Sequence, residues 1–383
     1  YERQLRGEVG ARIDIVDENN NIVKTVAERE AKDGKDIRLT IDIDLQQSLY
    51  NEYQNDKSAS VALNPKTGEV LALVSTPSYS SNDFVLGLST DKWNELNNDV
   101  NQPLMSRYKQ TYTPGSSMKP ITAAIGLETK TIDPNKDLRA KDKWQKDSSW
   151  GNNYVTTLTA YNGNKNISNA LIHSDNIFFA QAAIQIGKDE FCSSLDKIGF
   201  NEEIDKLINF PLSFNKSQYS NSEKEILTEK KIADSGYGQG DILVNPIHMA
   251  SIYSAFVNSG NMIKPYIEYK KENEKTYLKE NVFKSEAANI VKNDLIQVVE
   301  NPEGTANDMK LNGITIAGKT GTAELKKSST DTESGTLGWF DCFTINKTGN
   351  DILIISMVEN TQKNNNGGSH YLIRKIRTLI NII

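Results

Sequence analysis

Ile314-Thr-Ile-Ala-Gly-Lys-Thr-Gly-Thr-Ala-Glu-Leu325 reads as one strand that carries chemistry along its length. Gly318 and Gly321 flank Lys319-Thr320 with minimal side chains, which lets a second backbone or a ligand approach closely. A peptide could pair beside it as an added strand. Lys319 would supply a charge for a carboxylate, and Thr320 and Thr322 would supply hydroxyls. Lys-Thr-Gly occurs three times, starting at Lys66, Lys319 and Lys347. The other two copies fall in turns. Asn64-Pro-Lys-Thr-Gly68 joins the β-rich runs Ser58 to Leu63 and Glu69 to Ser75. Asn346-Lys-Thr-Gly-Asn350 joins Leu337 to Thr344 and Asp351 to Glu359. Both are hairpin connections by composition.

Working outward, strand pairs lie near both ends of the chain and helices lie between them. Residues 11–26 read as a strand, an Asn-rich turn and a second strand, and Ile37 to Ile41 as another. Asp44 to about Tyr53 reads as a helix. Helical spacing or composition recurs in Ile121 to Leu127, Ile167 to Ile172, Ile177 to Ile186, Pro246 to Val257 and Glu286 to Val299. Residues 329–336 form a polar loop, and an Asn/Gly-rich stretch, 360–368, precedes an amphipathic helix from Ser369 to Ile382. The pattern predicts an α+β or mixed α/β class: a sheet closed by the two ends of the chain, with a helical insert.

Composition narrows the function. The 383 residues carry a net charge of -6, which disfavours a nucleic-acid partner. No apolar run is long enough to span a bilayer. The three histidines, His173, His248 and His370, form no ligand-spaced motif, so no metal is expected. Cys192 and Cys342 are expected to be buried free thiols. No G-x-S-x-G elbow occurs, which disfavours that type of serine hydrolase.

Ser-x-x-Lys occurs five times, starting at Ser89, Ser106, Ser116, Ser194 and Ser213. Only Ser116 follows a Pro-Gly turn, Thr113-Pro-Gly115, and precedes an apolar helical run. It should sit at a helix start, where the dipole favours a developing alkoxide. Lys119, three residues on, shares its face. At the other four copies a serine cap beside a solvated lysine suffices. Ser174-Asp-Asn176 separates two apolar helical runs. Taken alone it is a helix connection; functionally, Ser174 could relay a proton and Asn176 could hold a substrate amide.

Ser116-Ser-Met-Lys119, Ser174-Asp-Asn176 and Lys319-Thr-Gly321, in that order, form the motif set of serine enzymes that react with penicillin. Further stretches agree, including Asp33 to Asp42, Leu71 to Tyr79, Ser174 to Ala180 and Ala233-Asp-Ser-Gly-Tyr-Gly-Gln-Gly240. The chain resembles the transpeptidase region of class B penicillin-binding proteins, most nearly the low-affinity, methicillin-resistance type. The resemblance implies a five-stranded antiparallel sheet flanked by helices, with an all-helical subdomain. It implies a transpeptidase domain over 37–383, with 1–36 the remnant of an N-terminal or linker region. A membrane anchor would precede it, in an extracytoplasmic bacterial setting.

The resemblance also implies D,D-transpeptidation without a cofactor. Ser116 would attack the penultimate D-Ala carbonyl of a peptidoglycan stem peptide, with Lys119 as base. Ser174, Asn176 and Lys319 complete the catalytic group; Thr320, Gly321 and Thr322 bind substrate. The N–H groups of Ser116 and Thr322 would form the oxyanion hole. β-Lactam antibiotics would acylate Ser116, and cell-wall synthesis proteins would be partners. The rivals are a serine β-lactamase, a D,D-carboxypeptidase and a non-catalytic β-lactam-sensing receptor domain.

Overall fold

Two hairpins from opposite ends of the chain share one sheet. The computed structural model describes residues 1–138, 142–157, 160–221, 228–269, 275–324, 335–345, 351–363 and 368–382. An N-terminal ribbon pairs β1 (Ala11–Val16) with β2 (Ile22–Arg29), and is almost wholly exposed. β3 (Ser58–Leu63) and β4 (Val70–Thr76) form the first hairpin of the main sheet. Two small pairs follow, β5 (Lys143–Trp144) with β6 (Val155–Thr156), and β7 (Met262–Ile263) with β8 (Tyr277–Lys279). β9 (Thr315–Glu324), β10 (Thr336–Ile345) and β11 (Leu353–Glu359) complete the sheet. It is five-stranded and antiparallel, in the order β4-β3-β11-β10-β9.

Helices cover both faces, which is why successive residues of β3, β10 and β11 are buried rather than every second one. Helices Ile43–Tyr53 and Ser369–Ile382 pack on one face; Pro246–Val257 and Ser285–Glu300 pack on the other. The last helix buries Leu372, Ile373, Ile376, Leu379 and Ile380, an i, i+1, i+4, i+7, i+8 stripe. Pro246–Val257 is buried along almost its whole length. Its start is fixed by the Asn245 side chain, which accepts from the Ile247 N–H at 3.0 Å, with Pro246 in the first turn.

The expected helices and hairpins are present, with one correction. Ile37 to Ile41 is not a strand. Leu39 makes a single bridge to Glu268, and the Thr40 N–H bonds the Ile267 carbonyl at 2.8 Å. The Tyr269 N–H answers with a bond to the Arg38 carbonyl at 2.8 Å, and Asp42 then turns the chain away by capping the next helix through the N–H groups of Asp44 and Leu45, so the pairing stops at that one bridge. Most of the expected polar loop at 329–336 and the turn bearing Lys347 lie outside the described residues. Cys342 is buried and Cys192 half-buried; both are free.

Candidate active site

The nucleophile turn is wedged between backbones. Gly115–Met118 forms one turn of 3-10 helix that runs into the α-helix Lys119–Glu128. Ser116 therefore stands in a tight turn just ahead of the α-helix rather than at its cap, and is 7 % exposed. Gly115 has a positive φ of 54°, and a Cβ there would lie 2.4 Å from the Thr322 carbonyl oxygen. Gly321 is as tightly placed: its Cβ would meet Ser117 Oγ at 2.5 Å. The glycine of Lys319-Thr-Gly321 thus lets β9 lie directly against the turn that carries Ser116. From the next strand, the Trp339 indole donates to the Thr113 carbonyl at 3.0 Å.

Lys119 is fully buried, and its amine contacts three oxygens: the Ser174 carbonyl at 2.6 Å, Ser174 Oγ at 3.0 Å and Asn176 Oδ1 at 2.6 Å. Burial, then the neighbouring Lys319 ammonium, hold it well below the usual lysine range; Asp175 works weakly the other way. The amine donates to the Ser174 hydroxyl, and a lysine shifted down in this way gives up its proton more readily than a free one.

Ser174 lies between Ile167–Ile172 and Asn176–Ile186. Its φ of 55° is left-handed, unusual for a serine. This turns its carbonyl and its hydroxyl toward Lys119 together. Asp175 makes the kink affordable by capping the second helix, accepting from Ile177 N at 3.0 Å and Phe178 N at 3.2 Å.

Lys319 lies on the edge strand β9, buried, with its amine 3.0 Å from Ser174 Oγ and 3.0 Å from the Thr320 carbonyl. Burial pushes it down to about 7, opposed by Asp341. Thr320 Oγ1 donates to Thr305 Oγ1 at 2.9 Å. All eight expected residues, Ser116, Lys119, Ser174, Asn176, Lys319, Thr320, Gly321 and Thr322, thus belong to three segments that meet here. Among the described residues no hydrogen bond joins the Ser116 hydroxyl to Lys119, whose donors go to Ser174 and Asn176.

The other copies of the short motifs lie elsewhere. Ser89 caps a helix by accepting from Lys92 N, and Lys92 pairs with Glu95. Lys66 sits in the β3–β4 turn and pairs with Asp351. The sequence reading missed three neighbours of the site. Thr305 meets Thr320 from a loop. Tyr253 donates to the Ser117 carbonyl at 2.8 Å. Gly238, in the stretch 233–240, accepts from Gly115 N at 2.9 Å. Among the described residues no acidic, His or Cys cluster is arranged to hold a metal.

The penicillin binding protein transpeptidase domain family matches residues 58–376. The chain is 42 % identical over 380 residues to penicillin-binding protein 3 of Bacillus subtilis (strain 168), covering 98 % of this chain and 54 % of that protein. It is 31 % identical over 271 residues to the peptidoglycan D,D-transpeptidase MrdA of Escherichia coli (strain K12), covering 70 % of this chain and 43 % of that one. The chain therefore spans about half the length of the curated relatives it matches. In fold it is similar to a Helicobacter pylori penicillin-binding protein (PBP2) solved in complex with MreC, with a TM-score of 0.83 at 22 % identity over 99 % of this chain and 70 % of that one. It is also similar to penicillin-binding protein A from M. tuberculosis, solved as a ceftriaxone acyl-enzyme complex, with a TM-score of 0.78 at 22 % identity over 91 % of this chain and 80 % of that one. On the family match and these relatives, the chain belongs to the penicillin-binding protein transpeptidase family, in its class B branch.

Proposed function

We propose that this chain is a peptidoglycan D,D-transpeptidase domain that works through a Ser116 acyl-enzyme and is acylated by β-lactams. One observation carries the reading: Ser174 Oγ lies 3.0 Å from both Lys119 Nζ and Lys319 Nζ. A single hydroxyl thereby joins the three motif segments.

Ser116 Oγ attacks the penultimate D-Ala carbonyl of a stem peptide. Lys119, whose proton is loosened by burial, accepts the hydroxyl proton in its neutral form. The N–H groups of Ser116 and Thr322 face the developing oxyanion. The Lys119–Ser174–Lys319 line returns the proton to the departing D-Ala amine. The acyl group then passes to an amine of a neighbouring strand. Lys319 and Thr320 receive the substrate carboxylate, and the free side of β9 pairs with the peptide backbone. Asn176 holds a substrate amide.

On this reading the catalytic domain spans 37–383, 1–36 belong to a preceding region, and the setting is extracytoplasmic. Among the described residues no helix is long and apolar enough to cross a membrane. A cell-wall synthesis protein, such as the one seen with the Helicobacter pylori relative, is the kind of partner proposed. Likeness to the low-affinity, methicillin-resistance type is the finer part of the proposal, and slow acylation would mark it.

Mass spectrometry after incubation with a penicillin tests the reading. One adduct on the peptide containing Ser116 is expected, and none in Ser116→Ala. An adduct on Ser89, Ser106, Ser194 or Ser213 would refute the assignment. Sustained hydrolysis of nitrocefin would favour a β-lactamase, and release of D-Ala with water as sole acceptor a carboxypeptidase.

A further inference from the structure

A carboxyl group lies beneath the site, inside the sheet. Asp341 stands in the middle of β10, fully buried, in a strand otherwise apolar from Trp339 to Phe343. Its register partner on β9 is Lys319. Directly opposed residues in antiparallel strands share a face, with Cβ atoms about 5 Å apart. The face is the one that meets the nucleophile turn, because Trp339, two residues along, bonds Thr113 from it. Neither Asp341 oxygen makes a well-formed hydrogen bond and neither does Ser117 Oγ, though the Ser117 and Tyr253 hydroxyls lie near enough to favour the carboxylate. A buried carboxyl left this way costs stability, so its presence calls for a reason.

The groups around it supply one. β9 presents Lys319, the helix Pro246–Val257 presents Tyr253, the nucleophile turn presents the uncharged Ser117, and β11 presents Ile355 in register. On its own strand Cys342 is buried, with its thiol pushed well up by burial. Tyr253, also fully buried, is pushed well above the usual tyrosine range, first by burial and then by Asp341, so it stays neutral. Lys319 is thus the one cation among the groups that act on Asp341. Lys319 in turn has Asp341 as the counter-charge that acts on it.

We infer that Asp341 is a positioning residue that acts through Lys319, keeping its ammonium charged so that it can receive the substrate carboxylate. This rests on the functional reading above. Burial alone drives Lys319 toward neutrality, and a neutral amine would bind a carboxylate poorly. The Asp341 carboxyl, itself raised to about 7 by burial, ionises in the range where that loss would begin. Removing the counter-charge makes the ammonium harder to hold, so Lys319 should lose its proton at lower pH.

The test is the pH profile of acylation by a carboxylate-bearing penicillin, in wild type, Asp341→Asn, Lys319→Arg and the double variant. Asp341→Asn should move the alkaline limb down by about one pH unit or more, the usual scale for a nearby opposite charge, and slow acylation about tenfold at the pH of the wild-type limb. In the Lys319→Arg background the same change should alter the profile less than about twofold, because Arg keeps its proton. Equal losses in both backgrounds, or an unmoved limb, would overturn the inference and leave a structural role only. If Asp341→Asn does not fold, Asp341→Ser replaces it. If neither folds, Lys319→Arg alone decides: its alkaline limb should disappear, and a limb retained at the wild-type pH overturns the inference. Wild type that never labels would overturn the functional reading and this inference together. Normal labelling with an unmoved limb overturns this inference alone.

Discussion

Gly115 donates its N–H to the Gly238 carbonyl at 2.9 Å, and a Cβ added to Gly238 would stand 1.8 Å from the Gly115 carbonyl oxygen. The segment around Gly238 therefore helps to fix the turn that carries Ser116, as β9 does.

Gly238→Ala should disturb that turn, and Gly240→Ala provides the control. Both glycines have positive φ, 81° and 75°, so both substitutions strain the backbone by about 1 kcal/mol. At Gly240, however, the nearest atom to an added Cβ is 3.5 Å away. Penicillin acylation should fall about tenfold or more in Gly238→Ala and stay within about twofold in Gly240→Ala. Similar rates in the two variants would show that the contact does not position Ser116.

The base is tested by charge without basicity. Lys119→Arg keeps a cation that cannot accept a proton at usable pH. Acylation should fall at least about 100-fold, with an unfolding midpoint low enough to show the cost of a larger buried group but still cooperative. In wild type the rate should rise with pH through an ionisation well below that of free lysine, since burial and Lys319 both favour the neutral amine. It should fall again as Lys319, held near 7, loses its charge. A rate that climbs only above the ordinary lysine range would argue against Lys119 as base.

The choice among Lys-Thr-Gly copies can be checked directly. Lys319→Ala should slow acylation about 10- to 100-fold, the scale of one lost charged contact. Lys66→Ala removes a half-exposed turn lysine paired with Asp351. Acylation should then stay within about twofold, with about 1 kcal/mol or less of stability lost. Equal rate effects would contradict the assignment of the edge-strand copy.

Asp294 gives a stability prediction independent of catalysis. It is buried in the helix Ser285–Glu300; one oxygen accepts from Ser168 Oγ at 2.6 Å and the other has no partner. Burial raises its carboxyl to about 6. A raised folded-state pKa adds stability that is present below the unfolded value, near 4, and is lost as pH rises through about 6. That loss is at most about 3 kcal/mol. Asp294→Asn should flatten the melting temperature between pH 4 and 7. An unchanged slope would mean that the carboxyl is not what titrates.

Much of the site could be read locally. Pro114-Gly115 marks the nucleophile turn, Asn64 to Gly68 marks a hairpin, and an apolar lead-in marks Lys319 as lying within a strand. Each is a matter of a few adjacent residues. Thr305, Tyr253 and Gly238 could not be read that way, because their contacts with the site are made by tertiary packing between distant segments. Asp341 left a trace, a lone carboxylate in the apolar run Trp339-Phe-Asp-Cys-Phe-Thr344, but only the register with β9 shows what it faces. The segment Ile37 to Ile41 misled for the converse reason. Its composition suits a strand, but its pairing with the segment around Glu268 ends after a single bridge.

The pairing of β11 with β3, Ile355 opposite Val61, joins residues nearly three hundred positions apart. During synthesis β3 and β4 emerge long before their partners and must wait for β9, β10 and β11. A chain halted before Leu353 would leave β3 with a bare, apolar edge, a template for intermolecular pairing. Such long-range contacts make folding slow and leave intermediates open to aggregation. Shortened versions that keep Ser116, Lys119, Ser174 and Lys319 but omit β11 should collect as insoluble protein. For this domain the last hairpin decides whether the first one has anywhere to go.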